Sequence, residues 1–97
     1  MKLLRIEASK AKNKRYVAIF DNNGKSKKTN FGLKNPKKGT FTDTGNIESR
    51  SAYRARHKKD LKTKDPTRAG YLSYYLLWGD SKSLKVNIAN YKKRFNL

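Results

Sequence analysis

The sequence predicts an α+β fold in which a small N-terminal three-stranded antiparallel sheet is followed by three helices. Apolar residues alternate with a period of two in the first third of the chain and recur at helical spacing after residue 46. A stretch that contains Pro and Gly separates these two parts. We therefore expect a single domain over 1–97, with a β-meander at 1–32, a basic loop at 33–45 and a helical part at 46–97.

The predicted strands are short and end at polar turns. In the first strand, Leu4 and Ile6 alternate with polar residues, which predicts that both face the core. The second strand, over 16–20, is apolar on both faces and is expected in the centre of the sheet. The segment 21–24, Asp-Asn-Asn-Gly, predicts a tight hairpin, because Asn and Gly tolerate positive φ. The third strand then occupies 27–32.

The first two predicted helices follow the basic loop. One starts within 46–51 and runs to about Leu61. Asp65 and Pro66 are typical of a helix start, because Asp caps free backbone amides and Pro fits the first turn. Gly79 suits the end of this second helix.

The third predicted helix is capped by Ser81 or Ser83. Its apolar residues recur at helical spacing and form one stripe, with lysines and an arginine on the other side. The stripe consists of Leu84, Ile88, Tyr91 and Phe95.

The charge of the chain indicates an acidic partner. Lys and Arg number 25 against 7 Asp and Glu, which gives a formal net charge of +18. The excess is spread along the chain, with 12 basic and 2 acidic residues up to Thr40 and 13 basic and 5 acidic residues after it. A net charge of about 2 to 8 is enough for solubility in a small domain. The surplus repels itself and attracts polyanions, which favours nucleic acid, acidic protein or anionic lipid as a partner.

Several classes of function have no support in the residues. The chain has no cysteine, which excludes disulfides, thiolate metal sites and thiol catalysis. Its one histidine, His57, lacks a local set of co-ligands, and no nucleophile or phosphate-loop motif is present. We expect no enzyme activity, catalytic residues, metal, cofactor or small-molecule substrate. No signal peptide or membrane-spanning run is expected either.

Two sets of residues are candidates for partner contacts. The first is a polyanion-binding set of lysines and arginines: Lys34, Lys37, Lys38, Arg50, Arg54, Arg56, Lys58, Lys59, Lys92, Lys93 and Arg94. The second is a protein-interface set in a segment that is apolar nearly all round: Tyr71, Tyr74, Tyr75 and Trp78. Burial of this aromatic segment within the chain is an equally good interpretation.

Several sequence blocks resemble a known protein family, and this resemblance indicates the kind of organism the protein comes from. The C-terminal half carries four blocks in order, and the N-terminal hairpin carries Tyr16 and Phe31-Gly32. The blocks are RHKK at 56–59, DP-x-x-AG-x-LS at 65–73, LLWG at 76–79 and Y-x-x-RF at 91–95. Together they resemble a family of small basic proteins of nucleocytoplasmic large DNA viruses, including viruses of algae and amoebae. The resemblance implies a viral source and carries no catalytic residues.

In that setting we expect a virion structural protein, made in the infected host cell and present in multiple copies. It would be a minor capsid component on the inner face of the shell that bridges acidic capsid proteins, with the genome as a further contact. The alternative is a protein that packages nucleic acid through phosphate contacts without sequence preference. An accessory enzyme or regulator of a host process ranks last, because no chemistry is visible.

Overall fold

A three-stranded sheet and a set of short helices make up the fold. The computed structural model describes residues 1–35 and 37–97. In chain order the elements are β1 (Lys2–Ala8), β2 (Lys14–Asn22), β3 (Lys25–Leu33), α1 (Phe41–Thr44), α2 (Ile47–His57), a 3-10 helix (Lys58–Thr63), α3 (Ala69–Leu72), a π-helical turn (Ser73–Leu77) and α4 (Leu84–Phe95). The predicted α+β class, with the sheet before the helices, is confirmed.

The sheet is an antiparallel meander in the order β1-β2-β3, with β2 in the centre as predicted. Asn22 pairs with Lys25, so only Asn23 and Gly24 form the loop of the second hairpin. Their φ angles of 53° and 87° are those of the mirror-image turn that joins twisted strands. The amide of Gly24 also donates to the carboxylate of Asp21 at 3.0 Å.

The first strand contains a bulge that the alternation pattern did not predict. Leu3 pairs with Phe20 and Arg5 pairs with Ile19, which leaves Leu4 as the extra residue on β1. An extra residue reverses the alternation of faces along the strand. Leu3 is therefore 2% exposed while Leu4 is 51% exposed, and the prediction that Leu4 faces the core is wrong.

The predicted basic loop contains a short helix, α1. Thr40 and Asp43 form a capping box in which the Thr40 amide donates to the Asp43 carboxylate at 2.8 Å. Phe41, the first residue of α1, is buried. Pro36, within the predicted basic loop, lies outside the described residues.

The second predicted helix starts later and ends differently than expected. Asp65 accepts from the Thr67 amide at 2.9 Å, but this bond closes a turn, and α3 begins only at Ala69. The helix then widens into a π-helical turn in which the Trp78 amide donates to the carbonyl of Ser73 at 3.1 Å. Gly79 permits this ending, since a Cβ there would lie 2.2 Å from the carbonyl oxygen of Tyr75.

The core lies between one face of the sheet and the helices. Ala18, Phe20 and Phe31 on the sheet belong to one cluster with residues of α3, the π-helical turn and α4. The helical members of this cluster are Tyr71, Leu72, Leu76, Leu77 and Tyr91. α4 begins at Leu84, and its cap is Ser83, one of the two serines predicted for this role. No described helix is both long and apolar enough to cross a bilayer.

Candidate polyanion-binding surface

The carboxylates that form ion pairs do so with arginines, and Asp60 forms a hydrogen bond with the histidine. Arg15 holds Asp43 through two bonds of 2.7 Å, and Arg54 holds Asp80 at 2.9 Å. The remaining pairs are Arg5–Glu7 at 3.1 Å, His57–Asp60 at 3.1 Å and Arg68–Asp65 at 3.6 Å. Within residues 1–35 and 37–97 no lysine forms an ion pair. The lysine charges thus remain without a carboxylate at contact distance.

The carboxylates of Asp43, Asp65 and Asp80 stay ionised at neutral pH. The Arg15 guanidinium, by hydrogen bonding, lowers the pKa of the Asp43 carboxyl well below its usual range. The Arg54 guanidinium lowers the pKa of Asp80 in the same way. For Asp65, the hydrogen bonds from Thr67 lower the pKa first, and the charges of Lys27 and Arg68 add to the effect.

Two of the predicted polyanion-binding residues are used inside the protein. Arg50 donates to the carbonyl oxygens of Gly79 and Asp80, both at 3.3 Å, and its guanidinium lies 4.3 Å from the centre of the Phe41 ring. Arg54 donates from Nε to the carbonyl of Trp78 at 2.9 Å. Both arginines lie on α2, and their bonds hold the turn that follows the π-helical segment against this helix. The sequence did not predict this internal role and placed Arg50 and Arg54 only in the polyanion-binding set.

The other members of the predicted polyanion-binding set are exposed: Lys34, Lys37, Lys38, Arg56, Lys58, Lys59, Lys92, Lys93 and Arg94. They fall into three groups, one in the loop before α1, one at the end of α2 and one in the last turn of α4. The groups at the ends of α2 and α4 also place positive charge near the negative end of a helix dipole. These nine residues are named the free cation set below.

The predicted protein-interface residues are packed largely within the chain. Tyr71 is 7% exposed, and its hydroxyl donates to the carbonyl of Leu61 at 2.7 Å. Tyr75 is half-buried with its ring 5.3 Å from that of Phe95. Tyr74 and Trp78 are also half-buried. Burial within the chain, one of the two interpretations of this segment, therefore describes Tyr71. The other three aromatic side chains remain partly exposed to solvent.

Three aromatic rings form a stack that the sequence did not predict. The Tyr53 ring lies 4.4 Å from the Trp78 ring at 7° and 4.1 Å from the His57 ring at 21°. Two nearly parallel rings this close cannot share one face of Tyr53, so the order is His57–Tyr53–Trp78. Tyr53 and His57 are four residues apart on α2 and so share one of its faces, but Trp78 is distant in sequence. We call these rings the aromatic stack.

The aromatic stack lines a groove of about 480 Å³ between the end of β3, α2 and α3. Leu33, which is exposed, provides apolar surface in the groove, and Lys14 and Arg56 provide positive charge. Asp60 also lines it and bonds His57 Nδ1 at 3.1 Å. Burial raises the pKa of the Tyr53 phenol, which keeps it neutral at physiological pH.

Comparison with protein families identifies one match. The model of a family of unknown function, DUF5754, matches residues 4–57, which is more than half of the 97-residue chain. The chain belongs to this family. No curated protein matches it. No solved structure matches it either.

The DUF5754 match divides the candidate site. It covers nearly all of the sheet and ends with α2, so Tyr53 and His57 of the aromatic stack lie within it. Trp78 and the cations of α4 lie beyond it. The DUF5754 region thus supplies two rings of the stack together with Lys14 and Arg56 of the groove.

Proposed function

We propose that this protein binds nucleic acid without sequence preference and has no enzymatic role. The observation that supports the proposal most strongly is that its arginines and its lysines make different contacts. Arginines and His57 hold the carboxylates of the ion pairs, while no lysine of the described residues takes part in one. Lysines without internal carboxylates are available for phosphates, and the net charge of +18 favours such contacts.

The packing of the aromatic segment supports nucleic acid over a capsid partner. A protein interface needs large side chains that a partner can bury. Tyr71 has almost no surface left, and Tyr75 is enclosed by other rings. The free cation set, in contrast, is exposed on several elements. More residues are therefore exposed for contacts with phosphates than for apolar contacts with a protein.

The resemblance to small basic proteins of large DNA viruses supports a place for this function in a virion. A packaged genome concentrates phosphate charge, and a basic domain neutralises it. We propose that the protein coats or condenses the viral genome and is made in the infected cell. Mass spectrometry of purified virions, intact and emptied of DNA, tests this location: loss of the protein together with the DNA is expected, and its absence from intact virions would overturn it.

Binding to unrelated DNA duplexes tests the activity. Two duplexes of about 30 base pairs with unrelated sequences should bind with affinities within about twofold, because phosphate contacts do not read sequence. The dissociation constant at physiological salt should lie near the micromolar range that is typical of such binding. A large preference for one sequence, or no binding at low salt, would contradict the proposal.

A minor capsid component remains the second candidate. Tyr74 and Trp78 keep part of their surface, and Ile47 and Val86 are 62% and 47% exposed. Such apolar surface could contact a capsid protein. Retention of the protein by DNA-free shells at high salt would favour this candidate, because apolar contacts resist salt while phosphate contacts do not.

A further inference from the structure

The groove beside the aromatic stack combines features that suit an unpaired nucleobase. It is bounded by the rings of Tyr53, His57 and Trp78, and has apolar surface at Leu33. Its volume of about 480 Å³ is in the range of small-ligand pockets. A planar base needs such a surface to replace the stacking that it loses when it leaves its neighbours.

The accessible end of the stack is His57. Both faces of Tyr53 are covered, one by His57 and the other by Trp78. Trp78 packs against the hydrophobic core. The His57 side chain is 38% exposed, and its bond of 3.1 Å to Asp60 fixes the ring. The His57 ring, which is partly exposed and lines the groove, is thus the end of the stack at which a fourth ring would be added.

The charges around the groove suit the backbone on either side of such a base. Lys14 and Arg56 line the groove, are exposed and form no ion pair among the described residues. Lys58 and Lys59 follow His57 directly at the start of the 3-10 helix. The one carboxylate in the groove, Asp60, is already bonded to His57.

From this arrangement we propose that the protein prefers single-stranded nucleic acid and stacks one unpaired base on His57. The inference rests on the proposed nucleic-acid binding and adds to it a strand preference and a residue. Duplex bases are already stacked on both faces and cannot enter the groove. Phosphate contacts form with strands of either kind, whereas stacking on His57 adds affinity only for a strand with unpaired bases.

Anisotropy with labelled oligonucleotides tests the inference. The probes are a 20-nucleotide dT strand, an abasic strand with the same number of phosphates and a 20-base-pair duplex. At physiological salt the dT strand should bind about fivefold or more tightly than the abasic strand, which is the lower limit for one stacked base. It should also bind more tightly than the duplex.

Variants at His57 separate stacking from charge and from folding. The change His57→Ala removes the ring and should bring the dT affinity to that of the abasic strand. The change His57→Phe retains a ring and should preserve the preference. Ser51→Ala, at an exposed position of the same helix, is the matched control and should have no effect. Melting temperatures establish that all three variants fold.

The outcomes distinguish failure of the inference from failure of the proposed function. Equal affinities for the dT and abasic strands, or a dT preference unchanged in His57→Ala, would overturn the stacking site while leaving phosphate binding intact. A higher affinity for the duplex would do the same. If no probe binds even at low salt, the proposed function itself is wrong.

Discussion

The guanidinium of Arg15 donates to both carboxylate oxygens of Asp43 at 2.7 Å and so connects β2 to α1. Two parallel bonds of this kind suit the planar arginine fork and not the single ammonium of lysine. Arg54 donates a single bond of 2.9 Å to the Asp80 carboxylate and so connects α2 to the turn before α4. Arginine thus connects elements of the fold through ion pairs, whereas no lysine of the described residues forms one.

The Arg15–Asp43 pair predicts a loss of stability in acid. The pKa of Asp43 is lower in the folded chain than in the unfolded chain, so the unfolded state binds more protons as the pH falls. The contribution of the pair is present above the unfolded pKa of about 4 and is lost as the pH falls below it. We expect the free energy of unfolding to decrease between pH 5 and pH 3.

Replacing Asp43 by Asn tests the cause of that loss. The variant should be less stable than the natural chain at pH 7 and should lose less on acidification. Asp65 and Asp80 also have lowered pKa values, so some pH dependence should remain. Denaturant titrations at several pH values measure this, and an equal decline in both proteins would rule out Asp43 as a main source.

The bulge in β1 predicts opposite effects for two adjacent leucines. Leu3→Ala should lower the free energy of unfolding by about 2–5 kcal/mol, because it removes a buried side chain beside Phe20. Leu4→Ala should change it by less than about 0.5 kcal/mol, because this side chain is 51% exposed. Chemical denaturation of both variants measures the difference. The reverse order would mean that β1 has the uninterrupted alternation predicted from the sequence.

Asn87 is a polar residue, but its buried position predicts that it stabilises the fold. Its side chain is buried and donates to the carbonyls of Leu76 at 2.8 Å and Ser81 at 2.7 Å. Asn87→Ala leaves these groups without partners and should cost about 1–3 kcal/mol. Asn90→Ala, exposed on the same helix, is the control and should be nearly neutral. Thermal melting that shows equal effects for both would contradict the role of Asn87.

The sequence predicted elements that depend on local patterns. The hairpin at Asn23-Gly24 and the cap at Ser83 are local signals, and both are present. The capping box at Thr40 could also have been found, since Thr is followed three residues later by Asp. The Leu4 bulge could not, because alternation alone does not reveal an extra residue.

The contacts of the candidate site depend on residues far apart in the chain. Arg54 reaches the carbonyl of Trp78, and this distance in sequence hid its internal role. Sequence composition gave the same weight to every cation. Likewise, Tyr53 and Trp78 stack only because α2 packs beside the end of the π-helical turn, where the close approach to the Tyr75 carbonyl leaves room only for Gly79.

The two kinds of cation should respond differently to mutation. Arg54→Gln removes its ion pair with Asp80 and weakens its contact with Trp78, and should cost about 1–3 kcal/mol of stability. Lys58→Gln, at an exposed position, should leave stability within about 0.5 kcal/mol. Denaturant unfolding compares the two. If Arg54→Gln were neutral, the internal role assigned to that arginine would be wrong.

The salt dependence of nucleic-acid binding tests the central claim most directly. The logarithm of the association constant falls against the logarithm of salt concentration with a slope of about −0.9 per phosphate contact on duplex DNA. We predict a slope of about −4 or steeper. Neutralising four members of the free cation set, Lys58, Lys59, Lys92 and Lys93, should make it less steep by up to about 3.6. A slope near zero, or an identical slope in the neutralised variant that folds normally, would contradict the claim that these lysines bind a polyanion.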